Sequence, residues 1–436
     1  MKVCVQGLWH LGVVTAACLA ERGHTVVGVD RDPSLVEGLL RGVPPVSEPG
    51  LAEMVARNLG AGRLCFTTDP AAVAGAEVAW IAHDTPVDAA DRADVESVMG
   101  QAQQLFPHLD DGVLVLVSSQ LPVGSVARLE RAFKAGRPAV RAHFGCSPEN
   151  LRLGKAIEVF TAPDRVVVGV RDRAAQEVAA RLLAPITDRI EWMSVESAEM
   201  TKHALNAFLA VSVTFANEIA AVCERVGADA KEVERGLKSE VRIGPRAYLA
   251  PGAAFAGGTL ARDVAFLDGI GRENGLELGL LSSVRPSNEW HKHWAWRQLE
   301  RRIGSLADQT VAVWGLTYKP GTNTLRRSAA VELCAHLANG GTRVQAYDPA
   351  IRELPLDLAR LIVLRNGPAA AVEGASALVV ATEWPEFRGL DLRSVLSGMR
   401  RRLVLDPNRF LANELAGSDV DYVAVGVPST EGDDRE

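Results

Sequence analysis

A chain of 436 residues is too long for one compact core, and 47% hydrophobic with 23% charged residues is a soluble, globular composition, so two or three domains are expected. A formal charge of −7 without any basic cluster excludes nucleic acid as an expected partner. No apolar run reaches the roughly 18 residues that cross a membrane, so no membrane partner is expected either.

Met1-Lys2 leads straight into a strand-like run with no signal-peptide pattern. Lys2-Val-Cys-Val-Gln6 reads as a short buried strand, Gly7-Leu8-Trp9-His10-Leu11-Gly12 as a turn, Val13 to Arg22 as a helix stopped by Gly23, and His24 to Asp30 as a second strand ending in an acid. Strand, glycine turn, helix, strand, acid is the order of a dinucleotide-binding unit. Gly7 permits the tight turn, the helix N-terminus offers N–H groups to a pyrophosphate, and Asp30 stands where a carboxylate holds the ribose hydroxyls of NAD and disfavours NADP. Trp9 replaces the middle glycine of that fingerprint and should crowd the pyrophosphate.

The alternation continues with strands at Arg63–Thr68, Glu77–Ala82, Val113–Val117 and Ala139–Phe144. Their C-terminal ends run into His83-Asp84-Thr85-Pro86, Ser118-Ser119-Gln120 and Cys146-Ser-Pro-Glu149. Apolar strands with polar ends predict a parallel sheet that binds ligands at those ends. Ser194 to Val226 contains neither Gly nor Pro and predicts one long helix, with Lys202 and Asn206 on one face. Pro251 to Asp263 reads as a loop, small and flexible up to Gly258 and then abruptly polar at Thr259, Arg262 and Asp263, and is taken as the floor of the active site. His291 and His293 are at no metal spacing and read as surface residues, and no metal site is expected. From Gln309 the pattern restarts: strand Thr310–Trp314, glycine loop, helix Ser328–Ala338, strand Arg343–Asp348 ending in an acid, then strands at Ala377–Ala381 and Leu403–Leu405. Six scattered cysteines without a CxxC read as reduced, buried thiols in a cytoplasmic protein. The expected architecture is α/β: two doubly wound Rossmann-like domains, 1–194 and 301–428, joined by a helical domain, 195–300, with a charged, disordered tail at 429–436.

Across nearly its whole length the chain resembles the UDP-glucose/GDP-mannose dehydrogenase family. The matching stretches are Thr15-Ala-Ala-Cys-Leu-Ala20, Val27-Gly-Val-Asp30, Glu48-Pro-Gly-Leu51, Phe66-Thr-Thr-Asp69, Pro122-Val-Gly124, Pro148-Glu149, Glu199-Met-Thr-Lys202 with Asn206, Asn217-Glu218, Arg242-Ile-Gly244, Lys319-Pro320 and Thr382-Glu383-Trp384. The resemblance implies oxidation of a nucleotide-sugar alcohol with NAD, on a UDP- rather than GDP-linked sugar, in a homodimer, in precursor synthesis for polysaccharides. It implies cofactor positions at Gly7, Trp9, Leu11, Gly12, Asp30, Thr85, Gln120 and Arg326. It implies nucleotide-sugar positions at Glu149, Leu151, Lys202, Asn206, Arg242 (reaching in from the partner subunit), Tyr248, Gly257 and Lys319, and catalytic positions at Glu149, Lys202, Asn206, Asp263 and Thr259.

Three departures fall together. Thr259 stands where the family has its nucleophilic cysteine, whose thiolate captures the aldehyde and carries the second oxidation. Gln120 replaces a threonine and Leu153 the second glutamate of Pro-Glu-x-Leu-x-Glu, both tied to thioester hydrolysis in the family. The hydride-transfer half is spared. A single hydride transfer per event is therefore expected. The competing readings are the full four-electron reaction to a uronic acid with Cys146 or water standing in, an epimerase with bound NAD, and a non-catalytic binding homologue.

Overall fold

Short runs of β-branched and aliphatic residues separated by glycine turns and amphipathic segments are compatible with only a few architectures, and parallel sheets covered on both faces are the commonest. The computed structural model describes residues 1–86, 93–149, 151–256 and 258–428, so Gly257 and the 429–436 tail lie outside the described residues. The chain divides into two units, Met1–Leu205 and Asn206–Glu436.

The first unit is built on eight strands: β1 (Lys2–Gln6), β2 (Thr25–Val29), β3 (Leu64–Thr67), β4 (Val78–Ile81), β5 (Val113–Val117), β6 (Ala142–Cys146), β7 (Val166–Gly169) and β8 (Ile190–Met193). Their order is β3-β2-β1-β4-β5-β6-β7-β8. The order reverses between β1 and β4, the topological switch point at which such sheets bind ligands. One apolar cluster covers each face, with Val5, Leu19 and Leu116 in the first and Ile81, Val115 and Phe133 in the second. β5 is buried at all its positions, as a central parallel strand must be. The expectation of a purely parallel sheet is corrected at one place. β6 and β7 meet antiparallel, at Cys146 opposite Gly169, because the chain turns back through the segment that carries Glu149. The short strands β7 and β8 were not anticipated; four residues each leave little periodic signal, although β7 is buried at three of them.

The second unit holds six strands, β9 (Thr310–Trp314), β10 (Arg343–Tyr347), β11 (Ile362–Leu364), β12 (Ala377–Val380), β13 (Leu403–Leu405) and β14 (Asp421–Val423). All its strand pairs are parallel, in the order β11-β10-β9-β12-β13-β14. Read in strand ranks, this repeats the first six positions of the other sheet. Helices Ala230–Ser239, Thr259–Glu273, Gly279–Lys292 and Trp294–Ile303 precede it.

A helix of 32 residues, Val195–Val226, joins the two sheets. At 1.5 Å per residue it is about 48 Å long. It corrects the expectation about apolar runs: an 18-residue window of it has a mean hydropathy of 1.5, and it is the one helix among the described residues long and apolar enough to cross a membrane. Only 39% of that window is buried. Cys65 is a second correction. It is exposed, facing outward from β3, whereas the other cysteines are buried.

Candidate active site

The phosphate turn follows β1. Gly7 has φ +89°, open to glycine at little cost, and its N–H donates to the Val29 carbonyl (3.0 Å), locking the turn onto β2. A Cβ on Gly12 would fall 1.6 Å from the Gly7 carbonyl oxygen, so the first turn of the helix His10–Glu21 can approach the turn only as glycine. The early N–H groups of that helix, at His10, Leu11 and Gly12, precede its first internal bond, from Val13 N to Trp9 O (3.1 Å). Asp30, at the end of β2, accepts from Leu8 N (2.7 Å) and Asp32 N (3.0 Å). Glycine cradle, helix N-terminus and terminal acid fit the pyrophosphate and ribose of a dinucleotide. Trp9, at the middle position of the turn, is 51% exposed and occupies the N-cap position of the helix without a side-chain capping bond. In the second unit the same construction recurs, with Gly315 N on the Tyr347 carbonyl (2.8 Å) and Leu316 N on Asp348 Oδ2 (2.7 Å). There the acid is fully buried and also takes Thr317 N and Trp384 Nε1, both at 3.0 Å, so it is consumed by the fold.

At the C-terminal ends of β5 and β6 a small pocket is lined by Ser118, Ser119, Gln120, Cys146, Glu149 and Lys202 among others. Lys202 Nζ donates to the Glu149 carbonyl (2.6 Å) and stands 3.6 Å from Glu149 Oε1, while Glu149 Oε2 accepts from Leu151 N (2.6 Å). Thr85, buried, donates through Oγ1 to the Gln120 carbonyl (2.7 Å). These five predicted positions therefore come together in the first unit. Cys146 is fully buried and burial pushes its thiol well above the ordinary range. A thiol held protonated is a poor nucleophile, which weighs against Cys146 as a stand-in.

Two carboxylates that sequence reading did not single out position this pocket. Glu199, buried on the long helix, accepts from Gly124 N (2.7 Å) and Val126 N (2.9 Å), pinning the turn after Gln120; burial raises its carboxyl above the ordinary range despite those bonds. Glu48, also buried, accepts from Gly154 N and Ala156 N (both 2.8 Å) and from His10 Nε2 (3.1 Å), tying the segment after Glu149 to the phosphate turn. Their signal was present in the matched stretches around Glu48 and Glu199, but only the fold shows that they cap backbone N–H groups.

In the second unit the segment from Pro251 is a loop only as far as Gly258. Thr259, Arg262 and Asp263 lie in the helix Thr259–Glu273, a correction to the reading of the whole stretch as loop. Gly258 caps that helix at φ +108°, a conformation L side chains rarely adopt, so the glycine run reads as loop while its last member starts a helix. Thr259 is exposed on the first turn. Asp263 is fully buried and accepts from Asn206 Nδ2, so these two predicted residues meet. The loop itself is clamped by amides. Asn217 Oδ1 accepts from Gly252 N (3.0 Å), and Asn288 exchanges two bonds with Phe255, at 3.0 and 2.9 Å. His291 is buried, not at the surface: its Nε2 pairs with the Gly252 carbonyl (2.8 Å), and burial drives its pKa down to about 4. A lone histidine on a helix gives no sequence signal that a loop will fold over it.

Four further predicted positions belong to the second unit. Arg242 is exposed and bonded to Glu240 (2.9 Å), Tyr248 is 58% exposed, Arg326 is exposed, and Lys319 is half-buried. Gly257 is outside the described residues.

A sheet with a dinucleotide turn at its switch point, a lysine-lined pocket beside it and a second nucleotide-type sheet define an NAD-dependent nucleotide-linked dehydrogenase. Three family models match in sequence: the NAD binding domain of the UDP-glucose/GDP-mannose dehydrogenase family at residues 1–187, its central domain at 196–290 and its UDP binding domain at 312–413. The chain is 36% identical over 444 residues to a UDP-glucose 6-dehydrogenase of Pseudomonas aeruginosa, covering 98% of each chain, and 35% identical to one of Rhizobium meliloti, covering 98% and 100%. The structure of a UDP-glucose dehydrogenase from Pyrobaculum islandicum superposes with a TM-score of 0.87 at 31% identity, covering 98% of both chains. That of a UDP-D-ManNAc dehydrogenase from Pyrococcus horikoshii superposes with 0.85 at 25%, covering 98% of this chain and 99% of that one. The chain belongs to the UDP-glucose/GDP-mannose dehydrogenase family. It is an oxidoreductase whose cofactor is NAD and whose substrate is a nucleotide sugar.

Proposed function

We propose that the protein oxidises a CH–OH group of a UDP-linked sugar by one hydride transfer per event. The observation that carries this reading is the residue at the head of the catalytic-type loop: an exposed threonine begins the helix Thr259–Glu273, while burial pushes the Cys146 thiol at the pocket wall well above the ordinary range. When bound, NAD accepts the hydride. The chain's own residues manage the oxygen. Lys202 and Asn206, one turn apart on the long helix, hold the substrate hydroxyl and steady the alkoxide as its proton leaves, with Asp263 orienting the Asn206 amide. Loss of that proton and of the hydride leaves a carbonyl. Reaching the acid would require a second addition to that carbonyl, a second hydride and a water. A threonine hydroxyl, with a pKa far above neutrality, adds poorly without a base.

The UDP binding description of the third matched domain supports uridine over guanosine. A homodimer in the cytoplasm completes the reading. The dimer's support is a stripe on the long helix, Phe208, Phe215, Val222 and Val226, at 68%, 44%, 56% and 69% exposure. The heptad-type spacing of such a stripe suits a second helix of the same kind. The test is incubation of the full chain with NAD and a panel of UDP- and GDP-sugars, with products weighed by mass spectrometry. An aldehyde or a ketone supports the reading, and an isomer of equal mass favours the epimerase instead. Release of a uronic acid overturns it.

A further inference from the structure

His83 follows β4 at the switch point and is the residue against which the phosphate turn is built. A Cβ on Gly7 would stand 2.5 Å from His83 Nδ1 and 2.7 Å from its Cγ, so the ring lies directly against the bare face of Gly7. The side chain is 8% exposed, and its Nε2 is buried without a hydrogen-bond partner among the described residues. Burial pushes the pKa down to about 4 even with Asp30 nearby, so the ring is neutral and carries one N–H and one lone pair. A buried N–H without a partner costs more than an unfilled acceptor. That places the lone pair on Nε2 and the proton on Nδ1, the nitrogen at Gly7.

We infer that His83 is a cofactor-contact residue, its Nδ1–H meeting the pyrophosphate of NAD at the Gly7 turn. Neither the glycine pattern nor the terminal acid of a dinucleotide unit calls for a histidine here. It adds a side-chain donor beside the backbone N–H groups of the helix His10–Glu21. The glycine at position 7 then has two causes: its positive φ and the space the imidazole occupies.

Binding on the full-length protein tests this, read by calorimetry for NAD, ADP-ribose and adenosine. His83→Phe keeps a ring and removes both nitrogens; His83→Asn places an amide N–H near the position of Nδ1, and His83→Gln near that of Nε2. The expected result is a loss of about tenfold in affinity for NAD and ADP-ribose in the Phe and Gln variants, the size of one hydrogen bond to a charged group, with adenosine unchanged. The Asn variant should return to within about threefold of wild type. Wild-type NAD affinity in the Phe variant would overturn the inference. So would an Asn variant no better than Gln at equal thermal midpoints, or an equal loss for adenosine.

Discussion

At Thr259 the hydroxyl stands exposed on the first turn of its helix, where a thiol would have a lowered pKa because helix N-termini favour a negative charge. A hydroxyl gains little there, since it starts too far from ionisation. Thr259→Cys is therefore expected to change the outcome rather than only the rate. The product should shift from carbonyl to acid, and NADH released per sugar consumed should rise from one toward two, read by absorbance and mass spectrometry together. Cys146→Ser is the companion measurement: with a buried, protonated thiol, activity should stay within about twofold of wild type. A collapse of turnover in that variant, with folding intact, would reinstate Cys146. In the proposed mechanism Lys202 donates to the substrate oxygen, so Lys202→Ala should lower kcat by roughly a hundredfold or more.

Among the elements, the loop from Pro251 to Gly258 and the long helix make separate demands. The loop has little side-chain mass of its own and is held by the amides of Asn217 and Asn288 and the ring of His291. Asn288→Ala deletes both bonds to Phe255 and should cost about 1–3 kcal/mol in denaturant unfolding, with a fall in turnover larger than any change in NAD affinity. His291 adds a pH dependence. Its folded pKa lies near 4, below the ordinary 6.5, so the unfolded chain binds the proton first as pH falls. Stability is thus full above about pH 6.5 and declines toward pH 4, by on the order of 3 kcal/mol. His291→Gln should flatten that slope relative to wild type in unfolding curves across pH 4–7; parallel curves would remove His291 as its source. If the proposed dimer packs along the long helix, Phe208→Glu with Phe215→Glu should leave a monomer mass in light scattering, because charges would be buried in an apolar seam.

On the scale of the whole molecule, the six-stranded sheet repeats the order of the first six positions of the eight-stranded one and shares its turn design, yet their acids have different work. Asp30 is half-buried at the turn, while Asp348 is sealed and satisfied by the backbone and side chains around it. Asp30→Ala should weaken NAD by about tenfold with little loss of stability. Asp348→Ala should unfold more easily by roughly 2–4 kcal/mol and leave NAD affinity alone, since it strands buried N–H donors. Equal effects on NAD would contradict the division of labour.

The central strands of both sheets were legible in the sequence because buried parallel strands are mostly apolar, and β9 and β13 fall at their expected limits, whereas the short outer strands β7, β8, β11 and β14 were not anticipated. The long helix was legible because neither Gly nor Pro interrupts it. The glycine turn, Asp30, Lys202, Asn206 and the changed residue Thr259 could likewise be picked out from local pattern and resemblance. Tertiary structure alone decided the rest. It reversed β7 against β6, turned the end of the presumed loop into a helix, buried His291, sealed Cys146 and set His83 under Gly7. Those outcomes depend on which distant segments cover a side chain or cap an N–H. Local periodicity carries no record of such partners, whereas the repeat of a strand or helix is written in neighbouring residues.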